Sequence, residues 1–113
     1  ADNQVEYLQC VSGRRLKASV MGILYNSTTT FQNAAVGMGL DSATVDSSQR
    51  RTGAVVNNRF MPCEARYDGY PSLGYHSVKW LEIGAGADTQ TWVGDFDNAT
   101  GYFQSGIEAE TFL

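Results

Sequence analysis

Short runs in which apolar and polar residues alternate recur along this chain, and glycine or other turn formers separate them. Alternation with a period of two is typical of half-buried β-strands, and abundant Thr, Val, Tyr and Phe favour strands over helices. The pattern is clearest over residues 77–83, where Val78 and Trp80 fall on one side and Lys79, Leu81 and Ile83 on the other. We therefore predict strands at residues 5–10, 31–39, 54–63 and 77–83.

Residues 15–25 fit two structures. Leu16, Val20 and Leu24 would share one face of a helix, but they also fall on one side of a strand. Gly22 in the middle weakens a helix by about 1 kcal/mol relative to alanine. We predict a strand here, paired with the strand at residues 5–10, and keep a short helix as the alternative.

Two further segments complete the expected organisation. Residues 89–96 and 102–107 flank the turn-forming sequence DNATG, which predicts an antiparallel hairpin. The polar stretch 40–53 is longer than most connections, so we expect it to be the most mobile region. The predicted fold is one mainly β domain over residues 1–113, an antiparallel β-sandwich or barrel with at most one short helix.

Charge narrows the classes of partner. The formal net charge is −4 and the sequence pI is about 4.7, so phosphate backbones should repel the molecule and general nucleic-acid binding is not expected. Residues 1–80 hold all eight bases and six of the twelve acids, whereas residues 81–113 hold six acids and no base. No apolar run is long enough to cross a bilayer, so no membrane partner is expected.

The two cysteines and two sequons favour secretion. A bond between Cys10 and Cys63 would close a loop of about fifty residues and stabilise the fold by about 4 kcal/mol; two buried free thiols are the alternative. Asn26 and Asn98 each begin an Asn-X-Thr or Asn-X-Ser glycosylation triplet. The chain opens at Ala1 in a way that resembles a mature N-terminus after signal-peptide removal. We expect a secreted protein.

No catalytic motif stands out. His76 is the single histidine, which excludes two-histidine acid and base mechanisms, and no GxSxG elbow is present. On one strand, His76 and Glu82 would lie about 20 Å apart, too far for a catalytic pair. Residues 95–101 match a calcium loop only in part, because Ala99 and Thr100 occupy positions that need a ligand and a glycine. We assign no catalytic residue, no metal and no cofactor.

The aromatic stretch 67–80 supplies the candidate ligand-binding residues. Exposed rings there could stack on sugars or bases, whereas a small β domain also uses such rings to fill its core. We favour core packing for Trp80 and for Trp92 outside the stretch. The candidates for binding are Tyr67, Tyr70, Tyr75, His76 and Trp80.

The segment Tyr7-Leu8-Gln9-Cys10, the even cysteine count, the secreted character and the lack of an enzyme motif together resemble the small secreted effectors of plant-pathogenic fungi. This resemblance implies a virulence protein without catalytic activity. Such a protein binds host molecules, and plant immune receptors detect it as an avirulence factor.

A narrower resemblance is to the microbial guanyl-specific ribonucleases. The segment Gly69-Tyr70-Pro71 resembles the Tyr-Pro that precedes a catalytic histidine, and Gly86-Ala87-Asp88 resembles a stretch that precedes a catalytic arginine. Here Ser72 and Thr89 follow instead. The resemblance implies an α+β fold as the alternative to the sandwich, with its catalytic positions substituted.

Three functions remain open from the sequence. The leading expectation is a secreted effector that binds a host protein, either an immune receptor or a defence target, with delivery into host cells as a further step. The rival is a carbohydrate-binding module that uses Tyr70 and Trp80, which makes a glycan the second expected partner. The third is a ribonuclease or small hydrolase centred on His76.

Overall fold

The computed structural model describes residues 3–26, 32–56, 60–84, 86, 89–93, 96–98, 101–103 and 105–112, and within these ranges it contains strands and no helix. The mainly β prediction is confirmed, residues 15–25 form a strand, and the α+β alternative is wrong for the described chain. The strands are β1 Gln4–Gln9, β2 Leu16–Asn26, β3 Gln32–Leu40, β4 Arg50–Arg51, β5 Gly53–Val56, β6 Phe60–Gly69, β7 Gly74–Ile83, β8 Gln90–Val93, β9 Phe96–Asn98, β10 Gly101–Phe103 and β11 Gly106–Thr111.

The strands form two main antiparallel sheets and a small hairpin. Sheet 1 has the order β1-β7-β3-β5. Sheet 2 has the order β11-β2-β6-β4, and β8 also pairs with β2. One edge of β2 pairs with β6, and its other edge pairs first with β11 and then with β8. This arrangement is a β-sandwich with β2 at the centre of sheet 2.

The core lies between the two sheets and is built largely from small and branched side chains. Trp80 of sheet 1 reaches across to β2, where a Cβ at Gly22 would lie 2.9 Å from Trp80 Cη2 and 2.8 Å from Val36 Cγ1. A glycine is therefore needed at residue 22 for the sheets to approach. The buried core residues are Leu16, Ala18, Val20, Leu24, Ala34, Val36, Met38, Cys63, Ala65 and Val78.

The connection between β3 and β4 crosses from sheet 1 to sheet 2 and is tied to β3. Ser47 N donates to the carbonyl of Met38 at 2.7 Å, and Met38 N donates to Asp46 Oδ1 at 3.2 Å. Asp46 also accepts from Ser48 N and forms an ion pair with Arg51. Side chains of this stretch thus bond the edge of β3, and its mobility stays a prediction.

Several pairings differ from those expected. The strand β1 pairs with β7, not with β2. The predicted strand at 54–63 belongs to two strands, β5 and β6, which lie in different sheets. The hairpin around DNATG is limited to β9 and β10, because β8 and β11 both pair with β2. Local alternation located the strands, whereas the choice of partner depends on contacts distant in the chain.

The expected disulfide is not formed, and both cysteines are free. Cys63 is buried in β6, and its thiol donates to the carbonyl of Gly22 at 3.5 Å. It lies six residues, about 20 Å, before the end of β6. Cys10 is exposed and directly follows Gln9, the last residue of β1. Gln9 pairs with Gly74, which begins β7 just beyond the end of β6. A disulfide needs Cα atoms within about 7 Å, so this separation excludes it.

The two sequons lie at the margins of the described residues. Asn26 ends β2 and Asn98 ends β9. The third residues of the two triplets, Thr28 and Thr100, lie outside the described residues. Glycosylation at either asparagine stays a prediction.

Candidate functional site

The aromatic stretch 67–80 passes from one sheet to the other at one end of the sandwich. Tyr67 lies near the end of β6 in sheet 2, residues 70–73 form the connection, and β7 begins at Gly74 in sheet 1. Gly74 has a φ of 119°, a conformation that residues with a Cβ rarely adopt. The five candidate residues are therefore divided among β6, the connection and β7.

His76 is held by acceptors at both ring nitrogens. Nδ1 lies 2.6 Å from Asp41 Oδ2, and Nε2 lies 2.6 Å from the carbonyl oxygen of Ser72. A carbonyl and an ionised carboxylate can only accept, so each ring nitrogen carries a proton. The hydrogen bond to Asp41, followed by that to Ser72, raises the pKa of His76 against the effect of burial. These two acceptors favour the protonated ring over the neutral one.

Asp41 completes this arrangement from the connection after β3. Its Oδ1 accepts from Ser77 N at 2.8 Å, and its own N–H donates to the carbonyl of Ser77 at 2.8 Å. Burial opposes ionisation, but the bonds from His76 and Ser77 outweigh it and lower the pKa of Asp41. Asp41 has a φ of 56°, a left-handed conformation that aspartate tolerates better than most residues.

This geometry gives His76 a structural role. The side chain is only 6% exposed, and both nitrogens are already engaged. General base catalysis needs a ring nitrogen that can accept a proton from a substrate within hydrogen-bond distance. His76 instead joins the β3–β4 connection, through Asp41, to the β6–β7 connection, through Ser72.

Trp80 and Tyr67 turn toward the core. Trp80 packs between the sheets over Gly22, and Tyr67 packs against the same core cluster. Trp92, also packed against it, donates from Nε1 to the carbonyl of Ala35 at 3.1 Å. The preference for core packing at both tryptophans is confirmed, so Trp80 is a poor candidate for ligand contact.

Tyr70 and Tyr75 are the two candidates that lie at the surface, with 71% and 62% of their area exposed. Tyr70 lies near Arg15 of sheet 2, which its hydroxyl influences electrostatically. The hydroxyl of Tyr75 donates a hydrogen bond to the carboxylate of Glu6 on the outer face of sheet 1, and this hydrogen bond raises the pKa of Tyr75. Tyr70 lies in the β6–β7 connection, whereas Tyr75 lies on β7.

Tyr75 belongs to an apolar patch that the sequence interpretation missed. Leu8 lies directly opposite Tyr75 in the β1–β7 register and is 64% exposed. Leu73 precedes Gly74 and is 58% exposed. We call Leu8, Leu73 and Tyr75 the apolar end patch. Its sequence signal was weak but present, because Leu8 falls on the opposite side of β1 from the partly buried Val5 and Tyr7.

No group of three His, Cys, Asp or Glu side chains in the described ranges could hold a metal ion. No helix that is long and apolar enough to cross a membrane occurs among these residues.

Comparisons with protein-family models, with curated proteins and with solved structures find no significant match to this chain.

Proposed function

We propose that this protein is a non-catalytic binding protein that engages a partner protein through the apolar end patch. The observation that carries the proposal is the pairing of Leu8 with Tyr75 on the outer face of sheet 1, where both are more than half exposed. Leu73, two residues before Tyr75 in the chain, is also exposed. Exposed apolar clusters of this kind are typical of protein interfaces, in which tyrosine is enriched.

The backbone behind the patch supports a binding role. Leu73 lies between Ser72, whose carbonyl accepts from His76, and Gly74, which pairs with Gln9 of β1. The connection that carries Leu73 is therefore fixed at both sides. A surface held in one conformation loses little entropy on binding, which favours affinity.

The setting that we propose is that of a secreted effector of a plant-pathogenic fungus, with delivery into host cells as a further step. The partner would be a host protein, either an immune receptor or a defence target. The free cysteines remove the disulfide from the argument for secretion, which now depends on the sequons at Asn26 and Asn98 and on the effector resemblance.

The test replaces the patch and measures the plant response. The protein is expressed in leaves of a panel of plant lines, and cell death and the defence-related oxidative burst are recorded. We expect the triple variant Leu8→Ser, Leu73→Ser and Tyr75→Ser to lose most of the wild-type response, because the apolar contacts that bind the partner are gone. Its melting temperature should stay within a few degrees of the wild type, since these side chains are exposed.

The matched control is Val45→Ser, which removes an equally exposed apolar side chain from the β3–β4 connection. It should respond like the wild type. A normal response from the triple variant would overturn the role of the patch. No response to the wild-type protein in any line would overturn the effector setting.

A carbohydrate-binding function is the second candidate, since Tyr70 and Tyr75 present exposed rings. Tyr70 lies in the β6–β7 connection and Tyr75 one residue into β7, so a glycan would contact the end of the sandwich. Binding on a glycan array that disappears in both Tyr70→Ala and Tyr75→Ala would favour this candidate, and an absence of binding would remove it.

A further inference from the structure

The outer face of sheet 2 carries its charges in two rows that cross the strands. In the first row, the register places Glu110 of β11, Lys17 of β2 and Asp68 of β6 side by side. Lys17 therefore has an acid on each side. Asp68 is in addition paired with Arg15, which lowers the pKa of the carboxyl group. This row is balanced within the sheet.

The second row places two arginines side by side. It runs from Glu108 of β11 through Ser19 of β2 to Arg66 of β6 and Arg50 of β4. Arg50 and Arg66 are direct cross-strand partners, and like charges in this position destabilise a sheet. An arrangement that opposes stability calls for a compensating negative group.

The protein itself supplies little of that compensation. Arg66 pairs with Glu64 at 3.4 Å from Nε to Oε1, in an exposed geometry that contributes little. Arg50 forms no ion pair within 4 Å in the described ranges, and its interaction with Asp68 of the first row is electrostatic at longer range. Its neighbour in β4, Arg51, is by contrast already paired with Asp46.

A groove opens over both rows, and Lys17 and Asp68 of the first row line it together with residues of the second. Its volume is about 610 Å³, enough for a small ligand, and Ser19, Gln49, Arg50 and Arg66 contribute to its lining. The guanidinium group offers paired N–H donors that match the oxygens of phosphate and sulfate, and the hydroxyl of Ser19 adds a donor on the neighbouring strand.

We propose that Arg50, Arg66 and Ser19 form a binding site for a compact oxyanion, the phosphate or sulfate group of a small ligand. Glu108 and Glu110 of β11 limit its size, since they line the opposite side of the groove two strand spacings, about 10 Å, from β6. A long polyanion lying across the groove would meet these carboxylates. The site therefore selects a single anionic group over a nucleic-acid backbone.

The experiment is an NMR titration of the whole protein with inorganic phosphate, with sulfate and with phenyl phosphate, at an ionic strength kept constant with sodium chloride. We expect saturable shifts at the backbone amides of Ser19 and Arg66 and at the side-chain Nε–H of Arg50 and Arg66. Tighter binding of phenyl phosphate would indicate an ester as the ligand, and equal or tighter binding of inorganic phosphate would indicate the free anion.

The variants Arg50→Gln and Arg66→Gln should each weaken binding about tenfold or more, because each removes a charge-assisted hydrogen-bond donor. Without anion, neither should lower the melting temperature, since each relieves the repulsion between the two arginines. This second readout separates a binding defect from a folding defect.

The matched control is Lys79→Gln, which removes one positive charge from the outer face of sheet 1. It should bind the anions like the wild type. Two results would overturn the proposal. Shifts that do not saturate would indicate an adventitious ion only, and equal binding by Arg50→Gln and Lys79→Gln would show that Arg50 is not part of a site. The apolar end patch triple variant should bind the anions normally, so the two proposals fail independently.

Discussion

At the scale of single residues, the pair formed by Asp41 and His76 joins two connections that are far apart in the chain. Thirty-five residues separate the two side chains in the sequence. Tyr7 lies opposite His76 on β1, with 5.6 Å between ring centroids, and Lys79 acts on Asp41 electrostatically. The sequence showed His76 as a single histidine in an aromatic stretch. Its partner could not be predicted, because nothing local in the chain brings Asp41 to it.

The pair formed by His76 and Asp41 makes the free energy of unfolding depend on pH in both the alkaline and the acidic direction. Because its pKa is raised, the contribution of His76 is fully present below about pH 6.5 and is lost as the pH rises through the folded-state pKa. Because the pKa of Asp41 is lowered, its contribution is present above about pH 3.9 and is lost as the pH falls through its folded-state pKa.

The variant Asp41→Asn tests this account. Its amide can donate to a neutral Nδ1, so we expect the pKa of His76 to fall and the alkaline loss of stability to disappear. The free energy of unfolding at neutral pH should fall by roughly 1–3 kcal/mol, the contribution of a charged hydrogen bond. NMR titration of His76 and urea unfolding across pH measure both effects. The control Glu82→Gln removes an exposed carboxylate from β7. A pKa for His76 that is the same in Asp41→Asn and in the wild type would contradict the account.

The two cysteines should differ in reactivity. Cys10 is exposed, whereas burial raises the pKa of the Cys63 thiol and hides it in the core. We expect iodoacetamide to add one group to the native protein and two to the unfolded protein, with or without reductant. Intact mass measures the count, and tryptic mapping assigns the sites. If alkylation required prior reduction, the native protein would contain the disulfide after all.

At the scale of elements, the glycines of β3 decide where the β3–β4 connection lies. A Cβ at Gly37 would lie 3.0 Å from Asp46 Oδ1, and a Cβ at Gly39 would overlap the carbonyl oxygen of Ser42. From the sequence these glycines indicated only a softened strand. Their role depends on a connection that folds back onto β3, which no pattern within residues 31–39 reveals. Alternation did predict the position of β7. Val78 and Trp80 face the core, and this alternation is the same whichever sheet packs against the strand.

Replacement of Gly39 by alanine should therefore be costly. The new methyl group meets backbone, which cannot move aside like a side chain, so we expect a loss of roughly 1–3 kcal/mol or more in the free energy of unfolding. The matched control is Gly106→Ala in β11, where a Cβ would meet nothing within 4 Å. Urea denaturation compares the two. Equal stabilities for the two variants would mean that the connection does not lie on Gly39.

At the scale of the whole molecule, the uneven charge of the sequence is partly evened out by the fold. The last third of the chain holds six acids and no base. Two of these acids, Glu108 and Glu110, lie on β11 beside β2 and share a groove with Lys17 and Arg66. The acidic C-terminal segment was predictable from composition. Its position next to the basic residues was not, because the pairing of β11 with β2 joins opposite ends of the chain.

The central position of β2 also determines the order in which this protein can assemble. All its partners, β6, β8 and β11, follow it by more than thirty residues. During synthesis β2 must therefore stay without its partners until the second half of the chain has emerged. Such long-range pairing closes large loops before any contact compensates, so folding should be slow for a domain of this size. A fragment that ends before β11 would leave the edge of an apolar strand open to other chains.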